Sequence, residues 1–258
     1  TLQILIAVLL TREHVNIHNI PNIRDVNKLI DLIESIGVKV DRLRESSYSI
    51  QADKINFDYL HTDEYREKST SLRGSIMMIG PLLARFGKGY IPKPGGDKIG
   101  RRRLDTHFAG MIELGAKFNY DAGEHFYAVE GKKLKGKYIH LDEASVTGTA
   151  NILMAAVMAE GETTIYKAAC EPYLQQLCKM LNRMGAKISG VGSNMLVIEG
   201  VETLGGTTHT MLPDMIEIGS WIGLAAMTKS ELTIKNVSWN DLGLIPNVFR
   251  KLGITVEK

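Results

Sequence analysis

The sequence predicts an α/β protein assembled from repeated βα-type units, on three observations. Four stretches share one order of features, amphipathic helices recur within them, and a glycine closes the second helix of each. Self-similarity of this kind marks a repeat architecture, in which each unit is one supersecondary block. The stretch from Ile4, ILIAVLLTREHVNIHNIPNIRDVNKLIDLIESIGVKV, and that from Ile152, ILMAAVMAEGETTIYKAACEPYLQQLCKMLNRMGAKI, read as a short apolar helix, a strand, a loop, an amphipathic helix, a glycine and a second strand. The same order begins again at Ile76 and at Ile222.

Each element follows from its residues. Val26, Leu29, Ile30, Ile33 and Ile36 are spaced by three and four, as are Leu174, Leu177, Leu181 and Met184, which gives a helix with one apolar face. Gly37, Gly115, Gly185 and Gly253 stand where a left-handed cap is expected, each ahead of an alternating strand such as 38–40. Further strands are expected at 48–51, 126–129, 138–141 and 195–198. Every unit thus offers one sheet face to its helices.

Composition narrows the function classes. With 258 residues and 44% hydrophobic content, the chain can bury one large or two modest cores without staples. Its 31 basic and 29 acidic side chains leave a net charge of +2, which argues against a general nucleic-acid or membrane surface. Basic character is local to 98–103 and 132–137, and it suits a small anionic ligand. Cys170 and Cys178 fall in one predicted helix, too far apart for a bridge and without further ligands at metal spacing. Buried free thiols in a reducing compartment are expected, and no metal. No apolar run approaches the roughly twenty residues of a membrane span, and no cleavable leader is evident, so a cytoplasmic location is expected. The chain begins at Thr1, already inside an apolar helical pattern, which reads as a fragment of a longer protein.

The repeat is interrupted once. From Ile4 to Gly37 and from Ile152 to Gly185 is 33 positions and from Ile222 to Gly253 is 31, but from Ile76 to Gly115 is 39. The extra residues, about six, fall in YIPKPGGDKIGRRRLDTH, from Tyr90 to His107. Two prolines and three glycines forbid a regular element there. Five cationic side chains on such a loop fit either a solvated surface or a device that grips an anion.

At this loop the residues become recognisable. PLLARFGKGYIPKPGGDKIGRRRLDTHFAGMIELGAKF, then GKKLKGKYIHLDEASVTGTANILMAAVMAEGETTI, LVIEGVETLGG and LPDMIEIGSW resemble the enolpyruvyl transferase family, in its branch of UDP-N-acetylglucosamine 1-carboxyvinyltransferases. The resemblance implies an inside-out α/β barrel, helices inside and sheets outside, with three units per domain and the active site between two domains. Residues 1–212 would form the first domain and 213–258 open the second. The family's reaction moves the enolpyruvyl group of phosphoenolpyruvate to the 3-hydroxyl of UDP-N-acetylglucosamine, releasing phosphate through a tetrahedral intermediate, with no metal or organic cofactor. A Lys-Asn pair that contacts phosphoenolpyruvate, and an aspartate base with further arginines, lie in family portions that this sequence lacks, so the chain as written is not expected to catalyse.

Roles carry over by position. Asp97 stands where most members have a loop cysteine, and the resemblance implies that it donates a proton or assists product release. A carboxylate is a weaker nucleophile than a thiolate, so fosfomycin, the epoxide that alkylates the cysteine, is expected to fail here. Without the match, Asp97 reads as a turn residue. Arg102 matches a nucleotide-binding arginine, and Arg103, Leu104, Asp105 and Thr106 match the uridine-binding run, with Arg103 replacing a usual proline. Asp105 could instead serve as the N-cap of a helix starting at Thr106. Arg73 matches an arginine on the nucleotide sugar, although alone it reads as a solvated helix-start residue. Glu143, Ala144, Ser145 and Val146 match a diphosphate-gripping loop in which lysine is frequent at the first position, and Ser145 is also a helix cap by spacing. Asp214 lies at the domain junction, in a motif where Met215 replaces arginine. The histidines read as structural or surface residues, and Met77, Met78, Met154 and Met158 as core. Two alternatives stand beside this function: the sister transferase acting on shikimate 3-phosphate, and a silent homologue that binds nucleotide sugars.

Overall fold

Runs that are apolar on every side have no face to offer water, and in the computed structural model they form the innermost helices. The structure describes residues 1–95, 104–121 and 126–258, except the side chain of Asp121, and divides into two units, Thr1–Thr210 and Met211–Lys258. The first unit holds α1 (Leu2–Ala7), α2 (Arg24–Ser35), α3 (Asp63–Thr70), α4 (Ile79–Phe86), α5 (Asp105–Glu113), α6 (Val146–Ala156) and α7 (Pro172–Arg183). Its strands are β1 (His14–His18), β2 (Lys39–Arg44), β3 (Ser47–Gln51), β4 (Lys88–Pro92), β5 (Lys117–Asp121), β6 (Phe126–Glu130), β7 (Tyr138–His140), β8 (Glu162–Tyr166), β9 (Lys187–Ser189), β10 (Met195–Glu199) and β11 (Thr207–Thr210). Ile4, Leu5 and Ile6 of α1, Leu82 of α4 and Ile152, Leu153 and Met154 of α6 are fully buried. Each such side chain contributes about 1.5–3 kcal/mol by leaving water.

Three sheets lie outside these helices. Their orders are β11-β1-β3-β2, β4-β6-β5 and β7-β8-β10-β9. The repeat is visible in them: the first and second strands of each unit flank the third, and both run antiparallel to it. The first two strands are therefore parallel to one another, and α2, α5 or α7 makes the crossover that such a pair requires. β7 and β11 add a parallel edge to β8 and β1. Alternation gives each sheet one inner face, as in β1, where Val15 and Ile17 are fully buried between more exposed neighbours.

The crossover helices close as their glycines require. Gly37, Gly115 and Gly185 have φ of 98°, 97° and 104°. The next amides, of Val38, Ala116 and Ala186, donate to the carbonyls of Ile33, Met111 and Leu181. This is the six-to-one bond of a Schellman cap.

Helices α4 and α5 each approach α6 so closely that a glycine stands at the contact. A Cβ on Gly80 of α4 would lie 2.3 Å from the carbonyl oxygen of Asn151 in α6, and one on Gly110 of α5 would lie 2.2 Å from Cδ1 of Ile152. The outer face of the β4-β6-β5 sheet is covered as well. There α3 lays the Arg66 guanidinium 4.6 Å over the Phe126 ring, and Tyr65 donates to the carbonyl of Tyr90 at 3.0 Å.

Several expectations are corrected. The repeat from Ile222 supplies helices α8 (Met215–Thr228) and α9 (Ile245–Lys251) and the left-handed Gly253, whose following amide, of Ile254, donates to Phe249. Its two expected strands do not form, because a strand exists by pairing and no described segment pairs with residues 231–236 or 254–258. Cys170 is exposed and lies ahead of α7, because Pro172 suits the first helical turn and not a helix interior. Cys178 is buried as expected, and burial pushes its thiol up to about 12. Met158 is half-buried, beyond the end of α6, whereas Met77, Met78 and Met154 are core. No helix among the described residues is long and apolar enough to cross a membrane.

Candidate functional site

Helix amino termini leave amide donors unpaired, so an end where several gather can receive an anion. In the first unit the starts of α5 and α6 touch. The Thr106 hydroxyl donates to the Glu143 carboxylate at 3.2 Å, and a Cβ on Gly148 would lie 2.9 Å from the Thr106 methyl. Ser145 is the N-cap of α6, accepting from the amide of Gly148 at 3.2 Å, which was its expected structural role.

Asp105 differs from its structural expectation. Leu104 is the N-cap residue of α5, and Asp105 is the first residue of the helix, in the turn where a carboxylate complements the helix dipole. Arg73 opens a 3-10 turn at Arg73–Met78, and its positive charge acts on the ring of His107, one turn into α5. Arg73, Leu104, Asp105, Thr106 and Glu143 to Val146 are thus drawn to one end of the first unit.

The long loop is described only at its two ends. On leaving β4, the chain passes the carbonyl of Thr70 so tightly that a Cβ on Gly95 would stand 2.1 Å from it, and it re-enters at Leu104. Asp97, Arg102 and Arg103 lie outside the described residues. Asp214 belongs to the second unit, where its carboxylate caps α8 by accepting from the amides of Ile216 at 2.9 Å and Glu217 at 3.4 Å.

Behind this end lies a buried polar cluster that residue spacing did not reveal. His107 is 3% exposed, and Asn151 is wholly buried. Nδ2 of Asn151 donates to the carbonyl of Ile76 at 3.0 Å and faces Nδ1 of His107 at 3.0 Å, while its Oδ1 accepts from the amide of Gly80 at 2.8 Å. Burial, and then the charge of Arg73, hold the His107 imidazole down at about 4. One signal was available: Asn151 interrupts an apolar helix, and a buried amide must find partners.

A groove of about 890 Å³ lies elsewhere, at the carboxyl ends of α4 and α6, between 83–88, 130–134 and 158–161. Lys132 and Lys133 of the basic stretch 132–137 line it, and none of the residues matched to the family's site does. No group of three or more acidic, histidine or cysteine side chains suited to a metal occurs among the described residues.

The alternation of crossover units with helices inside, and helix starts converging at one end, is the arrangement of an enolpyruvyl transferase domain. The chain belongs to the EPSP synthase (3-phosphoshikimate 1-carboxyvinyltransferase) family, whose model matches residues 1–258. Relatives of known name are similar throughout. A protein of Bacteroides thetaiotaomicron named UDP-N-acetylglucosamine 1-carboxyvinyltransferase is 63% identical over 257 residues, covering 100% of this chain and 59% of that protein. Proteins of the same name from Porphyromonas gingivalis and Treponema denticola are 61% and 49% identical, over 100% and 96% of this chain and 59% and 57% of theirs. The chain spans about three-fifths of the length of these relatives. Among solved structures, the enolpyruvyl transferase NikO from Streptomyces tendae aligns with a TM-score of 0.72 at 19% identity, over 86% of this chain and 51% of that one. EPSP synthase from Acinetobacter baumannii aligns at 0.71 and 16%, over 98% and 57%. These two likenesses bear on the fold.

Proposed function

We propose that the protein to which this chain belongs transfers the enolpyruvyl group of phosphoenolpyruvate to the 3-hydroxyl of UDP-N-acetylglucosamine and releases phosphate, a step of peptidoglycan precursor synthesis in the cytoplasm. Residues 1–212 act as the first domain and 213–258 as the start of the second. The observation that carries this reading is the convergence of Arg73, Thr106, Glu143 and Ser145 at the joined starts of α5 and α6, in a chain 63% identical to relatives named for this acceptor. Two free cysteines and the lack of a long apolar helix among the described residues accord with the location.

The chemistry assigns work to these residues. A proton is added to the methylene carbon of phosphoenolpyruvate, its central carbon becomes cationic, and the sugar hydroxyl attacks that carbon while losing its own proton. Loss of phosphate from the tetrahedral adduct, together with a proton from the methyl group made in the first step, restores the double bond. Fixed positive charge and helix amides stabilise phosphate and carboxylate throughout. Arg73 contacts the nucleotide sugar, the loop from Glu143 to Val146 grips the diphosphate, and Leu104, Asp105 and Thr106 hold the uridine together with Arg102 and Arg103. Asp97 supplies the proton or helps expel product. No cofactor is assigned a step.

The test mixes a full-length protein carrying this sequence with phosphoenolpyruvate and each acceptor. Phosphate release that depends on UDP-N-acetylglucosamine supports the reading; release with shikimate 3-phosphate alone would transfer the assignment to the sister reaction. Binding of the nucleotide sugar without release would leave a silent homologue.

A further inference from the structure

A carboxamide buried in an apolar helix is costly unless each of its polar groups is bonded, and Asn151 meets that condition in one orientation only. The amide of Gly80 is a donor, so the group facing it is Oδ1. Nδ2 is then the group that faces both the carbonyl of Ile76 and Nδ1 of His107. Both are acceptors, so Nδ1 bears a lone pair and the ring proton sits on Nε2, 3.3 Å from the hydroxyl oxygen of Thr147. A protonated ring would set one N–H against another.

We propose that Asn151 is a positioning residue for the nucleotide-sugar end of the site. By locking His107 as the neutral Nε2–H ring it ties the first turn of α5 to α6 and to the turn that begins at Arg73, and so fixes the spacing of Thr106 from Glu143 to Val146. Gly80 makes room for the carboxamide, since a Cβ there would lie 2.6 Å from Oδ1. The charge that acts on the ring is that of Arg73 on the 3-10 turn, and it opposes protonation. The choice of nucleotide sugar as the ligand that senses this lock rests on the proposed function, whereas the state of the ring does not.

The experiment reads both. Long-range ¹H–¹⁵N correlation of the imidazole in this chain, from pH 8 to 5.5, is expected to show His107 as the Nε2–H tautomer throughout; an Nδ1–H ring, or a cationic ring at pH 6, overturns the proposal without any variant. Asn151→Asp keeps the shape but replaces the donor with an acceptor, so the ring must bring a proton to Nδ1, and its pKa is expected to rise by more than two units. In the same variant, the dissociation constant for UDP-N-acetylglucosamine, followed on the amides of Thr106, Ser145 and Gly148, is expected to weaken about tenfold, while Ile152→Val leaves it unchanged. An unaltered ring pKa and affinity in Asn151→Asp contradict the proposal. Failure of a full-length protein carrying this sequence to bind the nucleotide sugar, with the ring as expected, counts against the functional reading and leaves the lock standing.

Discussion

Thr106 and Glu143 share a hydrogen bond of 3.2 Å that joins the first turn of α5 to the loop ahead of α6. The bond places a carboxylate at the end of the first unit where helix amides converge. A carboxylate there opposes an incoming diphosphate. Glu143→Lys is therefore expected to tighten UDP-N-acetylglucosamine binding about threefold to tenfold at low ionic strength, since an exposed charge contributes up to about 1 kcal/mol and is screened by salt. Calorimetric titration at two salt concentrations measures this, and equal affinities at low salt would contradict it.

Acid should loosen the first unit before its carboxylates titrate. The His107 imidazole is held near 4 in the folded chain, below its ordinary 6.5, so the fold favours the neutral ring. That contribution is complete above about pH 6.5 and is lost as the pH falls toward 4, with an upper size of about 3 kcal/mol. His209, 6% exposed and facing Arg183, is held down in the same direction by burial first and by that guanidinium next. The midpoint of urea unfolding should be flat from pH 8 to 7 and fall from 6.5 to 5. A midpoint at pH 5 equal to that at 7.5 would exclude the effect.

Gly110→Ala should destabilise the first unit by about 1–3 kcal/mol, the usual cost of an overpacked core. Its Cβ would meet Cδ1 of Ile152 at 2.2 Å and Cγ1 at 2.6 Å. Ile152→Val removes the nearer carbon, so the double variant should recover part of the loss. A double-mutant cycle from urea unfolding gives the coupling, and strictly additive effects would show that α5 and α6 do not meet at this contact.

Much of the fold could be read from the residues because each element carries its own signal. The spacing of Leu174, Leu177 and Leu181 and the cap at Gly185 are local facts, and α7 and its turn follow from them. The failures involve partners. The strands expected after Ile222 had the right composition, but pairing is a property of two segments. Cys170 was drawn into a helix by its neighbours, although Pro172 marks where the helix begins. Asp105 resembled a cap because aspartate is a good one, yet the backbone turns helical one residue sooner than that reading required. In the site, Ser145 was legible from its spacing to the Gly148 amide, whereas the His107 and Asn151 contact joins residues 44 positions apart on different helices and no spacing rule reaches it.

Asp97 is the residue on which the proposed chemistry leans most. In a full-length protein, Asp97→Asn should lower turnover at least about a hundredfold, the scale of a lost proton donor. The unaltered protein should resist covalent inactivation by fosfomycin, and Asp97→Cys should make inactivation time-dependent. Full turnover in Asp97→Asn, or rapid alkylation of the unaltered protein, would remove the assigned role.

The most direct measurement follows phosphate released from phosphoenolpyruvate by a full-length protein carrying this sequence, with UDP-N-acetylglucosamine or shikimate 3-phosphate as acceptor. The account predicts release with the nucleotide sugar, lost when Arg73 is replaced by alanine, and none with shikimate 3-phosphate. Release with shikimate 3-phosphate alone, or no release with either acceptor, would contradict it.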